Sequence, residues 1–354
     1  MSLLHLVQNM PEHTVYPISY LGKTYNTTIH RDLTDDEYDA VVAGIRALPP
    51  EDEVAAQMTA FHVGGSRIDR IYSYFFKSTA YKTRLIYNNW SIDEALAHKP
   101  LMEFFAGKVA DNKKVYPDTM PLWKKIETAF RLCGFRTCSK PSNFPLKAID
   151  GLLKDWCPAG GTYLDYSCGW GVRMLASLRK GVRYIGIDPN HELVAELVRC
   201  YRMYREVNSA GDADIHCTGS EEFIPSLEGR VDLAFTSPPY FSLEDYRIGE
   251  RQSYREGTTY DRWISDYAVP TVRNCFRYVK PGGTFGFNIK NNFKYIPYDL
   301  EGDWKGIASD AGFEELTEIP LENITRVSGH RHAGSGNTMA KHENDEVIRL
   351  FRRP

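Results

Sequence analysis

From residue 139 onward the chain alternates short apolar runs with longer stretches of helical periodicity. The runs are TYLD (162–165), YIGID (184–188), ADIHC (213–217), VDLAFT (231–236) and TFGFNI (284–289), with further strands expected near Glu314–Ile319 and Val347–Arg352. Helical patterns fill 171–180, 190–205 and Tyr260–Tyr278 between them. This alternation predicts an α/β fold with a doubly wound, seven-stranded, mostly parallel sheet, since parallel neighbours need right-handed helical crossovers. Ligands then gather at the carboxyl ends of the strands.

Residues 1–138 follow another rhythm, irregular at first and then mainly helical. The pattern predicts helices over Asp35–Ala47 with Thr34 as N-cap, over Ser91–Phe105 capped by Ser91, and over Pro121–Cys133 with proline in the first turn. The stretch RTCSKPSNFP (136–145) interrupts the periodicity. Two domains are therefore expected: a mainly helical auxiliary domain over 1–138 and an α/β domain over 139–354.

Composition narrows the class. With 42% hydrophobic and 25% charged residues in 354, the chain can bury a sizeable core. The first residues carry neither a long apolar run nor a basic flank, and no stretch approaches bilayer length, so a cytoplasmic protein is expected. The seven cysteines lie singly without CxxC spacing, and His330, His332 and His342 are irregularly set, so no metal site is expected.

The net charge of −3 hides an asymmetry: residues 67–147 hold fifteen Lys/Arg against seven Asp/Glu, interleaved with aromatics such as Tyr72, Tyr81 and Trp90. This segment is a candidate for phosphate contacts through Lys77, Lys82 and Arg84, although a solvated helical face gives the same pattern. A second candidate is the connection 324–345, with Arg326 and Arg331.

The chemistry sits at strand ends. The first strand runs through Asp165 into Tyr166-Ser167-Cys168-Gly169-Trp170-Gly171 before a helix, and such glycines let a backbone approach a ligand closely. The second strand ends at Asp188, which can accept both hydroxyls of a ribose or cap the next helix. The fourth ends Thr236-Ser237-Pro238-Pro239-Tyr240, where two prolines withhold two backbone donors and leave neighbouring carbonyls free to accept from an amine.

Together these residues resemble the class I S-adenosylmethionine-dependent DNA amino-methyltransferases, from roughly Lys140 to Arg353. Asp165, Gly169 and Gly171 match the acidic and glycine positions of the family's cofactor loop, which here departs from D-P-F-x-G-x-G at Tyr166 and Ser167. Lys140-Pro141-Ser142-Asn143-Phe144-Pro145 resembles the methionine-end motif, and KHENDEVIRLFRRP the closing strand. The resemblance implies S-adenosylmethionine as cofactor, held by Asp165 at its methionine end, by Asp188 at its ribose and by Ser220 near its adenine, with Cys168, Asn143 and Phe144 beside it. Ser220 is equally placed to cap a helix over 221–227.

The resemblance further implies that Ser237, Pro238, Pro239 and Tyr240 orient an exocyclic amine for direct methyl transfer, with Tyr240 stacked on a flipped base and DNA as partner. Thr-Ser before Pro-Pro-Tyr is similar to cytosine-N4 enzymes more than to adenine-N6 enzymes. The same fold and chemistry also serve an RNA base amine or a protein glutamine, and a DNA-binding module without catalysis is the remaining reading.

Overall fold

A computed structural model describes residues 16–20, 23–27, 30–86, 90–110, 115–132, 138, 141–209, 211–291, 295–321 and 346–354. The chain divides into two compact units. The smaller comprises 1–49, 78–141 and 244–247, and the larger 50–77, 142–243 and 248–354. The seam near residue 141 lies close to the expected boundary. Two segments depart from the expected domains: 50–77 folds with the α/β unit, and 244–247 leaves it to pair with the smaller one.

In the smaller unit, Tyr16–Tyr20 and Lys23–Thr27 form an antiparallel hairpin. The helix Asp35–Arg46 starts at Thr34, whose hydroxyl accepts from the Glu37 amide in a capping box. The helix expected over Ser91–Phe105 is two helices, Ile92–Leu96 and Lys99–Ala110. Ser91 caps the first as expected. The break falls at Ala97–His98, just before Pro100, whose missing N–H and bulky ring disfavour a continuous helix. Leu122–Leu132 completes a core of Ile45, Trp90, Leu101, Phe105, Ile126 and Phe130.

The larger unit is built on strands β1 (Thr162–Asp165), β2 (Arg183–Ile187), β3 (Asp212–His216), β4 (Val231–Thr236), β5 (Val279–Asn288), β6 (Glu314–Pro320) and β7 (Val347–Arg352). Their spatial order is β3-β2-β1-β4-β5-β7-β6. β1 to β5 run parallel, while β7 is antiparallel to both β5 and β6. The fold is thus the seven-stranded, mostly parallel sheet that the alternation predicts. β5 starts earlier than its apolar run because Val279 already pairs with Val231; a register shift, with Gly282 at φ 76°, absorbs the Pro-Gly-Gly segment.

Helices α1 (Glu51–His62), α2 (Asp69–Phe75), α3 (Leu146–Trp156), α4 (Val172–Arg179), α5 (His191–Val207), α6 (Val269–Tyr278) and α7 (Leu300–Asp310) belong to this unit. α4 buries Val172 through Leu178, the charged Arg173 included. α6 is preceded by a helical turn, Tyr260–Trp263, and a π-turn, Ile264–Ala268. Among the described residues, no helix is long and apolar enough to cross a membrane.

Candidate active site

Crossover topology brings the ends of β1, β2, β4 and β5 to one edge of the sheet, and the candidate residues follow them there. Asp165 closes β1 and is 0% exposed. Its carboxylate accepts from Arg173 Nε at 2.8 Å, the Tyr184 hydroxyl at 3.0 Å and the Thr236 hydroxyl at 2.8 Å. Arg173 also donates to the Thr236 hydroxyl at 3.1 Å and, through a short bond, to the Ser167 carbonyl. Burial works against the Arg173 charge, but the Asp165 carboxylate outweighs it and the guanidinium pKa rises. Asp165 therefore holds the loop and the strands together.

The loop after Asp165 owes its shape to local chemistry. Tyr166 drops into the core, stacks on Phe285 and donates to the Gly286 carbonyl at 2.9 Å. Cys168 is 1% exposed and its amide bonds the Ile187 carbonyl at 3.1 Å. Burial pushes its thiol pKa well up. A Cβ on Gly186 would lie 2.6 Å from its sulfur, so Gly186 makes room for it. The Cys168 side chain packs under the loop.

Gly169 and Gly171 take φ of 56° and 74°, where a side chain would be strained. A Cβ on Gly171 would also lie 2.5 Å from the Phe76 ring. Phe76, at the end of α2, is a loop-supporting residue that sequence reading missed.

Asp188 lies at the end of β2, partly buried, with its carboxylate accepting from the Asn190 amide at 3.0 Å. It does not cap α5. Asn190 does, accepting from the Leu193 amide at 3.2 Å, so the Asp188 carboxylate keeps lone pairs for a ligand. Burial pushes its pKa up to about 6, opposed by the Asn190 and Gly169 amides.

Ser220 is buried and its hydroxyl is shared with Thr271 at 3.0 Å, so it neither caps a helix nor offers a free hydroxyl. The chain near it forms only a short 3₁₀ turn, Pro225–Leu227. Phe144 is buried edge-on against Phe235, with the Arg173 guanidinium 5.9 Å above its ring, and serves as core. Asn143 beside it is partly buried.

The Ser-Pro-Pro-Tyr segment follows Thr236 directly. Ser237 Oγ lies 3.1 Å from the Asn288 carbonyl and the Tyr240 hydroxyl 3.0 Å from the same oxygen, with 3.3 Å between the two hydroxyls. Asn288 ends β5, and its side chain donates to the Val347 carbonyl at 3.0 Å. Sequence reading missed Asn288, which gives no signal beyond its place at a strand end. Pro238 is buried, and Ser237, Pro239 and Tyr240 are partly so. Phe241 then adopts φ 50°, sparsely populated for a bulky residue, and its ring sinks among Tyr254, Tyr260 and Trp263. That burial fixes the turn carrying Tyr240.

The basic segment looks different in three dimensions. Lys77 is 7% exposed, which removes it from any solvent-facing phosphate grip. Lys82 is partly buried, and Arg84 lies 3.7 Å from Asp245. Arg67, Arg70, Lys99 and Lys124 pair with Asp69, Glu53, Asp35 and Glu127. Much of the excess positive charge is thus spent on local carboxylates, and the two units divide the segment between them. Arg326 and Arg331 lie outside the described residues.

No family model matches the sequence. A 98-residue stretch, 26% of this chain, is 33% identical to tRNA (uracil-5-)-methyltransferase homolog A of Homo sapiens and 32% identical to that of Mus musculus. The stretch spans 15% of the length of these curated relatives. Among solved structures, the [4+2]-cyclase SpnF aligns with a TM-score of 0.41 and 18% identity over 59% of this chain and 81% of that chain. A TehB-like SAM-dependent methyltransferase from Corynebacterium glutamicum aligns with a TM-score of 0.40 and 12% identity over 66% and 96%.

Proposed function

We propose that this chain is an S-adenosylmethionine-dependent methyltransferase acting on an exocyclic amino nitrogen of a nucleobase, with RNA as the favoured substrate class. One observation carries the reading: the bond between Thr236 and Asp165 joins the glycine loop to Ser-Pro-Pro-Tyr, so a cofactor seat and a set of amine acceptors share one edge of the sheet.

The residues present fit the cofactor. A Cβ on Gly169 would meet only an Arg173 nitrogen, at 3.6 Å, so the loop backbone there is open to close approach. The Asp188 carboxylate, freed from capping, suits the two hydroxyls of a ribose. When bound, S-adenosylmethionine supplies a methyl group on a sulfonium, an electrophile that needs no acid to leave.

What remains is orientation. The Ser237 proton is directed to the Asn288 carbonyl, which leaves the Ser237 oxygen as an acceptor for an amine N–H. Pro238 and Pro239 carry no N–H to compete for the adjacent carbonyls. An amine with both protons held can turn its lone pair toward the methyl carbon. No general base is required, since the product ammonium loses its proton after transfer. The Tyr240 ring is available to stack on the base, worth roughly 1–3 kcal/mol.

RNA is favoured over DNA by the likeness to the tRNA methyltransferase homologue. DNA is the second reading, supported by the resemblance of Thr236-Ser237-Pro238-Pro239-Tyr240 to DNA amino-methyltransferases. The relative's name concerns carbon 5 of uracil. Activating a pyrimidine carbon calls for an added nucleophile. Ser-Pro-Pro-Tyr brings no thiol, and burial pushes the thiols of Cys168 and Cys275 up into their protonated form.

Incubation with labelled S-adenosylmethionine and tRNA, single-stranded RNA, duplex DNA or protein, followed by mass analysis of the nucleosides, tests this. Label on a cytidine or adenosine amine is expected. Label in DNA alone would favour the second reading, a methyl on carbon 5 would overturn the amine chemistry, and no label with any substrate would overturn the activity.

A further inference from the structure

We infer that the open face of the Tyr298 ring is a stacking platform for the nucleobase next to the one held at Tyr240, in single-stranded RNA. The inference rests on the nucleobase methyltransferase reading above. Tyr298 is 38% exposed, whereas Ile296 and Leu300 are each 1% exposed. Two buried anchors thus hold this stretch of chain, and an aromatic ring is left at the surface between them. Its backbone is confined from both sides. Pro297 precedes it with a fixed φ, and Asp299 after it caps α7 by accepting from the Gly302 amide at 3.0 Å.

The ring geometry identifies the open face. Tyr298 stacks on Tyr260 with 3.8 Å between centroids and 4° between planes. Phe241 stands at 87° to Tyr298 and 85° to Tyr260, with centroids 5.9 Å and 5.3 Å away. A ring seated on the outer face of Tyr298 would lie nearer to Tyr298 than to Tyr260. Phe241 is nearer to Tyr260, so it meets the pair along its side. Tyr260 and Phe241 are the ring partners of Tyr298 among the described residues, and its outer face is left to solvent. The supporting ring is fixed, since Tyr260 is 8% exposed and donates to Asp303 at 2.6 Å. Two stacked rings with one end open form a preorganised seat for a third flat ring.

The seat stands beside the proposed chemistry. Phe241 directly follows Tyr240, and the chain that carries Tyr298 continues from Asn288, whose carbonyl accepts from the Tyr240 hydroxyl. Asp299 adjoins Tyr298 and Asp303 holds the Tyr260 hydroxyl, so the negative charge beside the rings disfavours a phosphate and leaves a base as the occupant. Bases of a duplex are covered by their own neighbours, whereas an unpaired base can be splayed onto an aromatic side chain. Stacking accepts any base, because each has a π face.

Tyr298→Ala removes the platform, Tyr298→Leu covers Tyr260 without a π face, and Tyr298→Phe keeps the ring. Fluorescence anisotropy with a labelled single-stranded RNA of about twelve nucleotides, and with an abasic strand of the same length, tests the inference in the presence of S-adenosylhomocysteine. Tyr298→Ala and Tyr298→Leu should each raise the Kd for RNA roughly 5–150-fold, which is the loss of one base stack. Tyr298→Phe should bind like the parent. On the abasic strand the Ala and Leu variants should match the parent, and S-adenosylhomocysteine affinity should be the same in all four proteins. Ala and Leu variants that bind RNA as tightly as the parent would overturn the inference. So would an equal loss on the abasic strand, which would assign the effect to the fold or to backbone contacts. A parent that binds S-adenosylhomocysteine but not the RNA would instead overturn RNA as the substrate class, and the inference with it.

Discussion

The Thr236 hydroxyl donates to the Asp165 carboxylate at 2.8 Å and accepts from Arg173 at 3.1 Å, so the last residue of β4 is bonded to the last residue of β1 through a fully buried network. Neighbouring strand ends are held at fixed spacing, and the groups they carry inherit it. Thr236→Val keeps the shape and removes both bonds. It should cost about 1–3 kcal/mol, the penalty for leaving buried polar groups unsatisfied. Urea unfolding should show a lower midpoint, with Thr236→Ser close to the parent; a Val variant as stable as the parent would remove the network from any structural role.

Arg173 is the counter-charge of that network. Arg173→Met leaves the Asp165 carboxylate buried and unpaired, which should destabilise by about 3–5 kcal/mol. Adding Asp165→Asn should recover much of the loss, because the uncompensated charge is gone. A double-mutant cycle in urea measures this coupling, and simple additivity would contradict it.

The raised pKa of Asp188 gives the proposed cofactor seat a testable pH dependence. Burial lifts its pKa to about 6 from an unfolded value near 3.8. A raised carboxyl stabilises the folded chain fully below the unfolded value and loses that contribution as pH rises through about 6. The ligand-free protein should therefore gain stability from Asp188→Asn at neutral pH. Ribose hydroxyls donate best to the ionised carboxylate, so affinity for S-adenosylhomocysteine should fall as pH drops through about 6. Calorimetry across pH 5 to 8 on the parent and Asp188→Asn checks both signs, and a flat profile in the parent would exclude Asp188 from the seat.

Ser237 and Tyr240 should separate binding from chemistry. Tyr240→Ala should lower turnover on RNA by the equivalent of roughly 1–3 kcal/mol of stacking. Tyr240→Phe, which gives up the bonds to the Asn288 carbonyl and the Ser237 hydroxyl, should cost about 0.5–1.5 kcal/mol. Ser237→Ala should reduce the rate less than the roughly 10²–10⁴-fold expected for a lost general base. Cofactor affinity should be unchanged in all three. Initial-rate measurements decide the matter, and a fully active Tyr240→Ala would sink the stacking role.

Much of the sheet was legible in the sequence because its inner strands are short apolar runs bounded by polar turns; TYLD, VDLAFT and VIRLFR coincide with β1, β4 and β7, whereas β3 (DADIH) and β6 (EELTEIP) are more polar. The ends of these strands gave the site its address. The roles of individual residues were less legible. The buried Arg173 partner of Asp165 was not legible, because a carboxylate at a strand end reads the same whether it faces a ligand or a buried arginine. Arg173 was visible only as a lone charge in the apolar run VRMLASL of α4. Phe76 and Asn288 act through contacts between residues far apart in sequence, which no local pattern records. Lys77 was counted with a basic segment, although its neighbours Phe75 and Phe76 are buried with it.

Asn288 ties the last strand to the Ser-Pro-Pro-Tyr segment. Its carbonyl seats Ser237 and Tyr240, while its amide is anchored on Val347, fifty-nine positions downstream. β7 enters the sheet between β5 and β6, so the acceptor geometry is complete only when that late, non-local strand has docked. Long-range pairing of this kind forms slowly, because loop closure must precede the contacts that reward it. The seat of Ser237 and Tyr240 is thus completed only once this long-range strand pairing is in place.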